Sequence, residues 1–119
     1  MPQTYKDLTV WQRAVELTVA VYVLTRQFPK EEIYGLTSQM RRSAVSIASN
    51  IAEGRYRSSR KDFVRFLHIA FGSGGELETQ IYISKQLNET GTLDYTKVDS
   101  LLDEVMKMLN AMINSLTKN

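Results

Sequence analysis

Cysteine is absent from this chain of 119 residues, and with it go disulfides, thiolate catalysis and cysteine-ligated zinc or iron–sulfur centres. Histidine occurs once, at His68. A ferritin-like di-iron site needs two Glu-x-x-His motifs, and the residue three before His68 is Arg65, so even one is missing. No G-x-S-x-G segment marks a nucleophile for a histidine to activate. His68 therefore reads as a structural or surface residue. Two prolines and six glycines leave little room for an architecture of strands and turns. No run approaches the roughly 20 apolar residues of a membrane span. The N-terminal MPQTYKDLTVW has no basic region followed by an apolar core, as a secretory signal would. The expectation is a cytoplasmic protein with no membrane partner.

Two further patterns fail to make a site. Gly72-Ser-Gly-Gly75 lacks the spaced glycine and following Lys-Ser/Thr of a phosphate loop, and Glu76 comes next, where it would repel a phosphate. The glycines read instead as close helix contact, with a kink as the alternative. Three of them cost about 3 kcal/mol of helix propensity, tolerable if a neighbouring backbone needs the space. Glu76 and Glu78 are two apart and point different ways on a helix, and Glu53 reads as an ion-pair partner for an arginine. No catalytic constellation, metal site or cofactor site is expected.

What is present is helical periodicity. Hydrophobic residues make up 43% and charged residues 24% of the chain, which suits an ordered globular protein. The whole chain, 1–119, reads as one domain. The first helix is expected from Val10 to Phe28, with Thr9 and Gln12 as a capping box and Pro29 ending it. It carries two apolar rows, Trp11, Ala14, Val15, Tyr22 and Val10, Leu17, Val21, Leu24, Phe28, a wider face than one buried stripe requires. The second helix is expected from Leu36 or Thr37 to Tyr56. It buries Met40, Ala44, Ile47 and Ile51, turns Arg42, Ser46, Ser49, Asn50 and Glu53 outward, and has Gly54 as a left-handed cap. Ser58 or Ser59, with Asp62, is expected to cap a third helix ending near Thr90, with Gly91 at its cap. A fourth runs from about Asp94 to Leu116 on a near-heptad row of apolar residues. No segment alternates with period two. The fold class that follows is all-α, an antiparallel up-and-down four-helix bundle.

Charge is unevenly spread. Seven of the fifteen basic residues fall between Arg41 and Arg65, against two acids, Glu53 and Asp62. That segment carries +5, residues 1–40 carry 0 and residues 66–119 carry −3, for a total of +2. The cations are Arg41, Arg42, Arg55, Arg57, Arg60, Lys61 and Arg65.

Leu8-Thr-Val-Trp-Gln12, Phe28-Pro-Lys-Glu-Glu-Ile-Tyr-Gly-Leu36, Gln39-Met-Arg-Arg42, Ser46-Ile47, Asn50-Ile-Ala-Glu-Gly54, Gly72-Ser73 and Glu76-Leu-Glu78 occur in this order. They resemble a bacterial four-helix-bundle family of proteins encoded within intervening sequences of 23S rRNA genes, also labelled a 23S ribosomal protein family. The resemblance spans essentially the whole chain, and Asn50–Gly54 after Arg41-Arg42 is its most specific part. The family is similar in turn to the accessory variability protein of diversity-generating retroelements. The resemblance implies an antiparallel four-helix protomer and a ring-shaped homopentamer. From the retroelement relatives it implies a basic surface that engages nucleic acid and a reverse transcriptase. One departure is Gly74-Gly75, where similar proteins place larger residues such as Leu-Ala.

Three functions compete. The first is a non-enzymatic homo-oligomer binding RNA or DNA backbone through the seven cations, since phosphate contacts supply affinity without reading sequence. Tyr56 would stack on an unpaired base or else serve only as a helix-end contact. Arg41, angled toward Val45 and Ala48, is a candidate for an interface instead. The second is a protein-interaction scaffold, its basic residues a solvated helix junction with internal ion pairs. The third, a small-molecule enzyme or cofactor binder, lacks site chemistry. Steep weakening with salt distinguishes the first from the second.

Overall fold

The computed structural model describes residues 4–118; Met1–Gln3, part of the segment read for a signal, and Asn119 lie outside the described residues. Four helices, α1 (Thr9–Thr25), α2 (Leu36–Tyr56), α3 (Arg60–Gln86) and α4 (Thr96–Thr117), form the body, with single 3-10 turns at Tyr5–Asp7 and Lys30–Glu32. No strand occurs among the described residues. Each helix packs on its neighbour in sequence, and α1 closes the square against α4, so the fold is an antiparallel four-helix bundle. Its long dimension is 48 Å, about the length of α3 with its flanking turns.

The core follows the periodicity. Leu17, Met40, Ile47, Ile51, Leu67, Leu77, Val105 and Leu109 are all fully buried, two from each helix on average. Val10, Leu17, Val21 and Leu24 of α1, and Phe28 just beyond it, turn inward, whereas Tyr22 of the other row is exposed.

Several local expectations need correction. Leu8, not Thr9, is the N-cap of α1, and its side chain makes no capping bond. The capping box lies upstream at Thr4 and Asp7, where the 3-10 turn begins. The Gln12 amide donates instead to Lys6 O at 2.9 Å, tying that turn to α1. The helix itself stops at Thr25; Gln27 and Phe28 continue in tighter bonds to Leu24 and Thr25 carbonyls. Ser59 does cap α3, its hydroxyl accepting from Asp62 N at 3.1 Å. The helix stops at Gln86, short of Thr90. Thr90 is buried and donates to Ser84 O at 2.6 Å, and the Tyr95 hydroxyl donates to Thr90 O at 2.9 Å. These two bonds fold the chain back before the helix would have reached Gly91. Burial pushes the Tyr95 phenol above its usual pKa. Gly91 is not in the left-handed region. It is needed for space, because a Cβ there would lie 2.6 Å from Leu87 O and 2.7 Å from Lys85 O.

Gly54 is likewise no left-handed cap: it lies inside α2, buried, with ordinary helical backbone. A Cβ on it would stand 2.8 Å from Phe66 Cβ and 3.0 Å from Phe63 Cδ1 on α3. Ser46 and Asn50, expected outward, also turn toward α3. The Ser46 and Ser73 hydroxyls are hydrogen-bonded at 2.9 Å, and the Asn50 amide donates to Ser46 O at 2.8 Å. A seam of small and hydroxyl side chains thus lets α2 and α3 approach closely, and theirs is the most extensive helix pair in the bundle.

The glycines of α3 divide. At Gly74 the Met106 sulfur of α4 occupies the space a Cβ would take, so the close contact is with the end of a flexible side chain and not, as expected, with a neighbouring backbone. Gly72 and Gly75 face open space, with nothing within 4 Å of a Cβ. Their replacement relieves backbone entropy without a clash. The Gly72→Ala, Gly75→Ala double variant is expected to gain about 1.5–2 kcal/mol of stability, read by urea unfolding.

Candidate nucleic-acid interface

The antiparallel order puts the start of α1, the end of α2, the start of α3 and the end of α4 at one end of the bundle. Only three residues, Arg57–Ser59, connect α2 to α3, so Arg55, Arg57, Arg60, Lys61 and Arg65 must crowd there. Topology adds Lys6 and Lys118, both exposed, which lie outside the charged segment of the sequence.

Internal pairing neutralises part of this end. Arg57 reaches Glu53 at 2.8 Å, and Arg65 stands 3.9 Å from Asp62. Both pairs are largely exposed, where such contacts are worth about 0.3–0.5 kcal/mol. The guanidinium groups of Arg57 and Arg65 also lie over the Phe66 ring, at 5.0 and 4.5 Å from its centroid. The aliphatic parts of both arginines are thereby held along the bundle. Arg60 and Lys61 are exposed and have no ion pair among the described residues. Arg55 is half-buried beside Thr4, Tyr5 and Tyr56.

Tyr56, the last residue of α2, is 76% exposed. One side of its ring meets Tyr5 at 5.6 Å, and Tyr5 in turn meets Trp11 edge-on at 5.0 Å. Tyr56 is therefore both a helix-end contact and an open aromatic surface. Tyr5 is the residue sequence reasoning missed; its only signal was an aromatic residue next to a capping pattern at Thr4 and Asp7.

Arg41 and Arg42 do not join this end. Arg42 and Arg57 are 15 positions apart on α2 and its cap, about 22 Å along the axis. Arg41 is committed locally: its Nε donates to the buried Thr25 hydroxyl at 2.9 Å, and its guanidinium lies 4.5 Å from the Tyr22 ring centroid. Arg42 is exposed on the same stretch. Elsewhere, His68 is exposed. No group of three or more potential metal ligands occurs among the described residues, and no described helix is long and apolar enough to cross a membrane.

The class defined by these features is a small all-α bundle with a cationic end. The profile of the family described as 23S rRNA-intervening sequence protein matches residues 6–111, and the chain belongs to that family. A crystal structure from Bacteroides thetaiotaomicron, of a protein with unknown function from the S23 ribosomal protein family, superposes with a TM-score of 0.73 at 24% identity. The match covers 88% of this chain and 98% of that one, and at this identity it establishes the shared fold. No curated protein matches the sequence.

Proposed function

We propose that the protein is a non-enzymatic, cytoplasmic homo-oligomer, a ring of five, that binds RNA or DNA backbone with the α2–α3 end of each bundle. The observation that carries this reading is the surplus of cations at that end. Arg60 and Lys61 stand exposed without an ion pair among the described residues, beside Arg57, which is paired with Glu53 at 2.8 Å, and Arg65, whose partner Asp62 is 3.9 Å away. Phosphate affinity needs no more than such a field, and symmetry multiplies it around a ring. Tyr56 offers an open ring for an unpaired base. Five copies come from the family resemblance; self-association is supported also by the exposed apolar side chains Val19, Tyr22 and Val23 of α1.

The test is a titration of single-stranded and duplex RNA and DNA at several salt concentrations. Wild type is expected to bind with a steep salt dependence. The Arg57→Ala, Arg60→Ala, Lys61→Ala variant is expected to bind more weakly on every sequence. Its salt slope should fall by about one unit for each phosphate it no longer neutralises. Its fold is expected to persist, because exposed substitutions change stability by only about 0.5 kcal/mol. No salt-sensitive binding by wild type, or equal binding by the folded variant, would leave the end a solvated junction and favour the scaffold reading.

A further inference from the structure

A ring of the kind proposed above brings two different patches of each protomer together, because its contacts are head-to-tail. Two candidate patches lie on opposite faces of the bundle.

The first is centred on α1. From Trp11 to Thr25 the only charged residues are Arg13 and Glu16. Arg13 bridges Glu16 at 2.6 Å and Glu104 of α4 at 3.0 Å, so both are drawn to the α4 side. At 100° per residue Val15, Val19 and Tyr22 run opposite the buried row, and Val19 is 58% exposed. A bundle helix that faced water would be polar there. Val15 and Val19 line a cleft of about 330 Å³ toward α4, with Glu16, Asp94 and Lys97, whereas Tyr22 borders a cleft of about 530 Å³ on the α2 side, which holds Ile33, Val45, Arg41 and Arg42 and no acid. Arg41 is already oriented by Thr25 and Tyr22, so its terminal nitrogens are set for an acceptor from outside.

The second patch is the α3–α4 groove, about 320 Å³, on the far side. It has three carboxylates, Glu78, Asp99 and Asp103, and one cation, Lys85. Lys85 is bound to Asp99 at 2.7 Å, and Asp103 to Lys107 at 2.9 Å. Glu78 has no ion pair among the described residues, and Tyr82 beside it is 66% exposed. One face is thus apolar and cationic, the other aromatic and anionic.

We infer that the occupant of the α1–α2 face is the α3–α4 face of a second copy of this chain. Tyr82 packs on Tyr22, Ile33 and Val45, and Glu78 meets the Arg41–Arg42 pair. The inference rests on the homo-oligomer reading and names its interface. Opposite charge fixes which faces meet, and the apolar area supplies the affinity.

The experiment uses Val45→Glu, in the α1–α2 cleft, and Tyr82→Glu, with light scattering at micromolar concentration and circular dichroism as the folding control. Each variant alone is expected to run at the 13.6 kDa protomer mass. Mixed in equal amounts they are expected to give a species of twice that mass and nothing larger, because each mixed pair retains one intact couple of faces. If the wild type is larger than a monomer and folded Tyr82→Glu keeps the wild-type mass, this interface is wrong and the oligomer reading stands. The interface is equally wrong if the folded variants stay monomeric when mixed. A monomeric wild type overturns the ring itself. Should Val45→Glu lose its helical signal, Arg42→Glu probes the same face under the same criteria.

Discussion

Valine in place of Gly54 is expected to destabilise the bundle by about 3 kcal/mol, the upper part of the usual range for overpacking a tight core. In denaturant titrations the midpoint should fall with little change in slope. The first atom met is Phe66 Cβ, 2.8 Å from where a Cβ on Gly54 would lie, with Phe63 O 3.3 Å away. Neither is the end of a flexible side chain. Relief therefore requires α2 and α3 to separate as whole helices, and separation would stretch the Ser46–Ser73 hydrogen bond as well. Valine improves on glycine in helix propensity by only a few tenths of a kcal/mol, far short of compensation. A substitution at Gly54 that proved neutral would show that the helices do not approach as described.

Ile47→Ala is the opposite perturbation. Ile47 is fully buried on α2, in the one core cluster that joins all four helices. Truncation removes three carbons and leaves a hole that neighbours on rigid helices fill only in part. The expected loss is about 3–4 kcal/mol, within the 2–5 kcal/mol seen for large-to-alanine changes. A chain of this size would melt roughly 12–16 °C lower, at about 4 °C per kcal/mol. If calorimetry gave a shift of only a degree or two, the site would be more adaptable than a close-packed core permits.

These two residues show what the sequence could and could not reveal. Ile47 was legible because burial recurs every three or four residues with Met40, Ala44 and Ile51, and that rhythm is a property of one helix alone. The role of Gly54 depends on what stands across from it. Its position near a helix end matched a left-handed cap equally well, and only the opposing Phe63 and Phe66 decide the matter. The same holds for Ser46 and Asn50, whose helical angle away from the apolar row read as outward but whose hydroxyl and amide groups bond across or along the α2–α3 seam. Helix ends were misplaced where long-range bonds intervene, as Thr90 and Tyr95 do after Gln86. For the basic residues, crowding at one end followed from a short connection and was visible. The removal of Arg41 and Arg42 to another face, and the arrival of Lys6 and Lys118, were consequences of the bundle's length and direction.

The intimacy of α2 and α3 bears on the order of events during folding. Their mutual contacts close short loops across a three-residue connection, so their entropic cost is the smallest of any pair with comparable burial. The pairing of α1 with α4 must instead enclose the whole intervening chain. A hairpin of α2 and α3 is the natural nucleus, with the outer helices condensing on it later. The cationic turn sits at the apex of that nucleus. The α1 surface and the α3–α4 groove each need a helix that arrives late. The α2–α3 part of the charged end is thus expected to assemble before the α1 surface and the α3–α4 groove are complete, and Lys6 and Lys118 join it only with the outer helices.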